Sequence, residues 1–575
     1  MTTLTETVED TDSKDAPDAR ATRNLNRLAF ASVLAAISPI VVAATRAIRW
    51  GWIPIGDNAY FTIRARDVLS SHPPLLGTWT SASLSVGKDI NNPGPLLYDL
   101  LALPVRVNEQ WGVALGSALL NVLAVIGIAL VARRIGGAPM VIAGMALAAA
   151  MEWAMGSELL YEPWQPHSLL LPFVCLLMLA WGLLQGDIVL VPFTAFVASL
   201  ILQTHVGYLY LVSGLVLWAM TGLVLLERRR AKAPDVDPDA AAKQRRRWKT
   251  VSISTAVVMA LCWAQPLIEQ LTSSGEGNLS RLASSAGQAK EVAGANLGVR
   301  IAASVLSLPP FWGRPSFSEL LRPADGTQIL PGVGSIGGLS STPLAAASLA
   351  AVMMLLAACA WWRWRRDDRL SASAAVTALF LVIIATATCV TMPVGILGVA
   401  PHQVRWLWPI GIFAAFSLAV ALARWRSSSS VLGRGVVVFA IAAFGLSLAT
   451  IPEYIPDGSG NAHHDTVASV RELDRQMGAV EGRGTILFDP DGMPIFEPYT
   501  TALQAELQRR GIDFVVDSPV LLRQLGDHHA NHGQAHVRLF VREGEAALTE
   551  QPGAERVALV STDKIAVAVF LAPIP

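Results

Sequence analysis

The chain has 575 residues, of which 53% are hydrophobic and 15% charged, with 44 basic and 44 acidic side chains and a mean hydropathy of +0.45. That is too apolar and too sparsely charged for a soluble multidomain enzyme, and it points to a polytopic α-helical membrane protein. The net charge of zero says nothing about partners, because in such a chain the placement of charge along the sequence is what matters.

Residues 1–25 are polar, lack a basic segment followed by a short apolar core, and read as a disordered cytoplasmic tail. A transmembrane domain then occupies 26–451. Apolar runs long enough to span a bilayer fall near 26–48, 112–132, 139–156, 168–185, 188–204, 206–226, 251–269, 344–362, 372–391, 404–423 and 432–451, about eleven helices. The basic clusters "ARR" at 132–134, "ERRRAK" and "KQRRRWK" between 227 and 249, "RWRRDDR" at 363–369 and "ARWR" at 423–426 lie on one side of this count. By the positive-inside rule the N-terminus is cytoplasmic, and the loops 49–110 and 270–343 face outward. Residues 452–575 change character: "GTILFDP", "IDFVVD", "HVRLFVRE", "RVALVST" and "KIAVAVFLA" read as short strands, and "PYTTALQAELQRRG" as an amphipathic helix ended by glycine. They predict a C-terminal extracytoplasmic α/β domain able to fold alone. Cys175, Cys262, Cys359 and Cys389 sit inside apolar runs without metal or disulfide spacing, as small core residues.

The first candidate for chemistry is Asp57, in "GDNAYFTIRARDV" just past the first span. A carboxylate so close to hydrocarbon is costly unless it is paired, bound to a cation or used. On a helix it shares a face with Phe61, Arg64 and Val68, although Arg64 and Arg66 also suit simple contact with headgroups. Lys88 and Asp89 are the charged pair of that loop, readable as a site or as a surface ion pair. "SELLYEPWQPHSLLLPF" offers Glu158, Glu162, Trp164 and His167, carboxylates and aromatic faces of the kind that bind sugars, or else a rigid proline-rich turn. Gln203 and His205 fall in a short turn, where a structural histidine competes with a ligand role. His402 and Arg405 open a helix in "APHQVRWLWPI"; a guanidinium there suits a lipid-linked phosphate, or snorkels to headgroups. "DPDGMPIFEPY" lacks the spacing of a calcium loop, and His528 with His532 lack the glutamate of a zinc helix, so no metal site is assigned.

The acid of "GDNAYFTIRARDV", then "NNPGPLLYDLLALP", "YEPWQPHSLLLPF" and "QTH", in that order and on one side, resemble the GT-C superfamily of membrane glycosyltransferases. Bacterial protein O-mannosyltransferases and aminoarabinose transferases are the nearest in kind. The resemblance covers about residues 26–450. It implies a polyprenyl-phosphate-linked sugar donor and an acceptor outside the membrane: an envelope glycan, lipid or protein. It also implies membrane lipid as surroundings, a bacterial plasma-membrane location, and no nucleic acid. Asp57 takes the place of the family's first-loop acid, as general base or metal holder, with a divalent cation the one cofactor left open. Many relatives carry a doubled acid where this chain has Asp57 and Asn58. The family's second acid has no direct match: His167 stands at its place, with Glu158 or Glu162 nearby. A non-catalytic glycolipid-binding relative and a lipid or sugar transporter stay open as alternatives. The alanine- and arginine-rich composition suggests an actinobacterial envelope. Residues 273–315 are expected to form a lid that closes on Leu308, Phe311 and Trp312.

Overall fold

The computed structural model describes residues 15–232, 237–289, 291–314, 339–394, 399, 401–425, 429–454, 464–493, 497–563 and 565–574. The protein is a polytopic α-helical membrane protein with a small C-terminal sheet domain. Among the described residues, nine helices are long and apolar enough to cross a membrane. The one at Gly112–Leu159 is two apolar runs joined through Gly136 and Gly137, where Gly137 takes a φ of 66° that a side chain would resist. With that division and the shorter apolar helix Ile188–Thr204 the count reaches the expected eleven.

The helices are α1 (Asp15–Trp50), α2 (Asp57–Asp67), α3 (Ala82–Val86), α4 (Leu96–Val107), α5 (Gly112–Leu159), α6 (Gln165–Ser168), α7 (Leu170–Leu184), α8 (Val191–Thr204), α9 (Leu209–Ala231), α10 (Pro238–Thr272), α11 (Asn278–Ser285) and α12 (Gly294–Leu306). Four further apolar helices follow at Thr342–Trp364, Arg369–Thr391, Leu407–Trp425 and Ser429–Thr450. The apolar α7 is buried on every side, as a helix without a polar face must be. Around it, α5 packs on α1 and on Ser429–Thr450.

Three expectations change. Helix α1 begins at Asp15, eleven residues before the expected span, while residues 1–14 lie outside the described part. Helix α10 likewise begins at Pro238, because Asp237 caps it by accepting from the Asp239 amide at 3.0 Å and the run "AAKQRRRWK" favours helix. The expected lid is largely packed structure. Asn278 of α11 exchanges two hydrogen bonds with the backbone of Asn91, at 2.9 and 3.0 Å, and α12 is buried between Arg369–Thr391 and Thr342–Trp364. Residues 315–338 lie outside the described part.

The five predicted strands form, as β1 (Ile486–Asp489), β2 (Phe514–Val515), β3 (Val537–Glu543), β4 (Glu555–Ser561) and β5 (Ala566–Pro573), in the order β2-β1-β3-β5-β4. β1 pairs parallel with β2 and β3; β5 pairs antiparallel with β3 and β4.

This domain does not close its core alone. Ile53, Ile55, Ala59, Tyr60 and Ile63, from the first loop and α2, lie in the same apolar cluster as Val470, Leu473, Phe488, Leu503 and Leu539. The opposite face of α2 gives Phe61 and Ala65 to the core of the helical bundle. Ten residues follow Asp57 in this helix, and all but Arg66 are buried. Each isoleucine so buried is worth about 1.5–3 kcal/mol. The short amphipathic run of the first loop is therefore a wedge between two cores, with Asp57 at its tip.

Candidate active site

Asp57 is the first residue of α2 and follows Gly56, whose φ of 58° is open to glycine and costly for other residues. That turn aims the carboxylate at the segment Leu160–Ser168. Burial, foremost, lifts its pKa from 3.8 to about 6; the Trp164 indole donates a hydrogen bond that opposes the shift, and the Glu162 carboxylate adds to it. The result is a carboxyl group whose pKa lies just below neutrality.

The facing segment is held by its ends. Gly156 breaks α5 with a φ of 71°, Ser117 Oγ donates to the Glu162 carbonyl at 2.9 Å, and Asn121 Nδ2 donates to the Leu160 carbonyl at 2.9 Å. Two prolines, Pro163 and Pro166, limit what remains. Glu162 is thereby directed inward, 1% exposed, and accepts from Asn58 Nδ2 at 3.3 Å while its other oxygen bonds His167 Nδ1. His167 is fully buried and lies edge-on to Trp164, with ring centroids 5.0 Å apart.

The far wall comes from the end of the chain's helical part. The His402 ring lies 4.7 Å from that of Trp164, and its pKa falls to about 3 through burial first, then the Arg405 charge and the neighbouring His167 and His205. It is a neutral ring at any physiological pH. Arg405 is 1% exposed and stacks over Trp408 at 5.0 Å. His205 accepts from the Gly207 amide at 3.0 Å and is held neutral, its pKa lowered to about 4 by burial. Its turn is fastened to the first loop: Asn92 Oδ1 accepts from the Val206 amide at 2.9 Å, and the Gly94 amide donates to the Gln203 carbonyl at 3.2 Å.

Asp57, Glu162, Trp164, His167 and His402 are thus brought together, with Arg405 next to His402 and His205 at the edge. Glu158 is buried one turn earlier, where its charge, like that of Glu162, acts on Tyr161. Two expected members stand elsewhere. Arg64 is turned to the C-terminal domain, donating to Asp67 Oδ2 at 2.8 Å and to the Leu525 carbonyl, because the face of α2 it occupies packs on that domain. Lys88 donates to Glu276 at 3.4 Å and Ser284 at 3.0 Å in an exposed contact with α11.

Asn58, the residue after Asp57, is the donor that holds Glu162. A second carboxylate is therefore present, contributed from a segment more than a hundred residues away. Glu162 stood among the candidates of the sequence; that Asn58 is its donor was not readable there. Among the described residues, no group of three or more histidine, cysteine, aspartate or glutamate side chains is arranged to hold a metal ion.

No protein-family model matches the chain, and no curated protein sequence matches it. Among solved structures it is similar to that of ArnT from Cupriavidus metallidurans bound to undecaprenyl phosphate, at 11% sequence identity and a TM-score of 0.49, over 96% of this chain and 98% of that one.

Proposed function

We propose that the protein is a membrane glycosyltransferase of the GT-C type, which moves a sugar from a polyprenyl-phosphate donor to an acceptor hydroxyl, with Asp57 as general base. The observation that carries this reading is the carboxylate itself: a half-buried aspartate at a span end, with a pKa of about 6, set against a second carboxylate, an indole and two imidazoles. That is the equipment of proton abstraction in a site lined for a sugar.

In the proposed step the acceptor O–H gives its proton to Asp57 as its oxygen bonds the anomeric carbon. The bond from that carbon to the donor phosphate breaks, and polyprenyl phosphate leaves with the electron pair. Arg405 holds the leaving phosphate, since a planar guanidinium offers it charge-assisted, bidentate hydrogen bonds. Glu162 keeps Asp57 basic and, through His167 and Asn58, holds the wall against which the sugar lies. Trp164 presents the sugar a ring face. The donor, the acceptor and the C-terminal domain share the outer side of a bacterial plasma membrane, with the N-terminus inside. An actinobacterial envelope is the proposed setting.

The test is incubation of purified protein with radiolabelled polyprenyl-phosphate sugars in lipid. Transfer of label to acceptor, or slow release to water, that disappears in Asp57→Asn supports the reading. Binding without cleavage would make the chain a glycolipid-binding protein, and passage of uncleaved donor across a sealed vesicle a transporter.

A further inference from the structure

Helices α8, α9 and α10 meet the candidate site at one end only. The Thr204 end of α8 is tied to the first loop, and Glu269, near the end of α10, accepts from the Asn278 amide at 3.0 Å beside Asn91. Toward their other end the three helices line a crevice of about 360 Å³, walled by Val191, Met220, Trp248, Val251, Ala256 and Met259 among others. That is the size of a small ligand site. The crevice is lined mostly by apolar side chains, with Ser252 and Thr255 the polar ones, and the ends of α9 and α10 near it carry the densest run of positive charge among the described residues. Arg228 and Arg229 end α9, and Lys243, Arg245, Arg246, Arg247 and Lys249 stand on the first turns of α10, all exposed.

Three observations join the crevice to that charge. Positions 245, 248, 252, 255 and 259 recur at three- and four-residue spacing, so Arg245 stands on the same face of α10 as the lining residues, one turn beyond Trp248. The Trp248 ring is held as a wall, because its Nε1 donates to Glu227 Oε2 at 3.0 Å. Glu227, the acid beside the crevice, is already neutralised by Arg230 at 2.8 Å, and it also accepts from Gln244 at 2.8 Å. The rim charge is therefore left for a ligand. Helix α10 has 35 residues, roughly 50 Å at ~1.5 Å per residue, against a hydrocarbon core of about 30 Å. Its basic turns consequently emerge at headgroup level, with Trp248 at the boundary where indoles collect.

We propose that this crevice binds an anionic membrane phospholipid, with an acyl chain along Trp248, Val251 and Met259 and the phosphate held by Arg245 and Lys249. The site is separate from the proposed donor site, at the opposite end of α8 and α10, and does not depend on the glycosyltransferase reading. Basic side chains at a helix end orient a membrane protein without any crevice; a shaped apolar slot beneath them adds a reason to retain a particular lipid.

Full-length protein in lipid nanodiscs tests this through quenching of tryptophan fluorescence by brominated acyl chains. The Trp248 signal is obtained as the difference between the wild type and Trp248→Phe. Titrated over the same range of mole fraction, brominated phosphatidylglycerol should reach half-maximal quenching of that signal at roughly tenfold lower content than brominated phosphatidylcholine. Arg245→Gln with Lys249→Gln, both at exposed positions, should bring the two lipids to parity, and Ala256→Leu, which fills the crevice, should reduce quenching by either. Equal quenching by both lipids in the wild type overturns the proposal. So does protection from both lipids together with disulfide cross-linking of Met259→Cys between copies, which would assign the crevice to a second molecule of this chain.

Discussion

Gln508, on the helix Tyr499–Arg509 of the C-terminal domain, donates through Nε2 to the Asp67 carboxylate at 2.9 Å, joining residues 441 positions apart. The same amide reaches the Ile63 carbonyl at 3.4 Å, and its oxygen accepts from Arg66 at 3.1 Å. The helix that begins with Asp57 is therefore clasped along its last turns by the domain that follows the membrane part. The carboxylate at its tip is positioned from outside the bundle.

Replacing Asp57 by Asn keeps the shape and removes the proposed base, so turnover should fall on the order of 10²–10⁴-fold while donor binding persists. The wild-type rate should rise with pH through an apparent pKa near 6, since only the deprotonated carboxylate accepts the acceptor's proton. Glu162→Gln removes a charge that raises this pKa and should shift the acid limb to lower pH. A pH–rate profile of both variants checks the sign.

Arg405 is expected to act on the donor phosphate. Arg405→Lys keeps charge and loses the fork, whereas Arg405→Ala loses both. With charge-assisted hydrogen bonds worth about 1.5–3 kcal/mol, donor affinity should weaken roughly 10- to 100-fold in the alanine variant and by less in the lysine variant. Titration with a non-cleavable donor analogue measures it.

The C-terminal domain was expected from its sequence to fold alone, but its apolar core includes residues of the first loop and α2. Ile63→Ala should cost about 2–5 kcal/mol in thermal or denaturant unfolding of the domain, although residue 63 lies in the first loop. A fragment of residues 452–575 should unfold less cooperatively than the same fragment supplied with a peptide of residues 50–68, and the chain ending at Thr450 should bind donor analogue poorly.

The seam between α2 and this domain should weaken in acid. The His528 ring stacks on His72 at 4.7 Å and lies near Asp67, and burial foremost, with His529, Arg64 and His72, lowers its pKa to about 3. A histidine whose folded pKa is depressed opposes folding once the unfolded chain starts to take up protons, so stability is lost as pH falls below about 6.5. For this partly exposed ring, solvent screening reduces the loss by pH 5 to on the order of 1 kcal/mol. Asp67, raised to about 6 by burial, acts in the opposite sense over the same interval, and His529, lowered as well, adds to the loss. His528→Gln should therefore flatten the fall in melting temperature between pH 7 and pH 5.

The spans and the five strands were legible in the sequence because each is written in local periodicity: a run of about twenty apolar residues has few alternatives in a membrane, and alternation over four to eight residues has few in a sheet. Asp57 was legible for a similar reason, as a carboxylate stranded next to hydrocarbon. Glu162, Trp164, His167 and His402 were legible as candidates, but which of them meet was not. Glu162 reaches Asn58 across 104 positions, and His402 meets Trp164 across more than two hundred, because helices laid side by side in the bundle bring together side chains whose separation along the chain carries no information about their distance. The sequence placed Arg64 on a face with Asp57 by helical spacing, which is correct for an isolated helix. Which way that face turned was decided by a competition between two apolar surfaces for the same short helix, Phe61 and Ala65 against the bundle and Tyr60 and Ile63 against the sheet domain, and that balance exists only once both cores have formed.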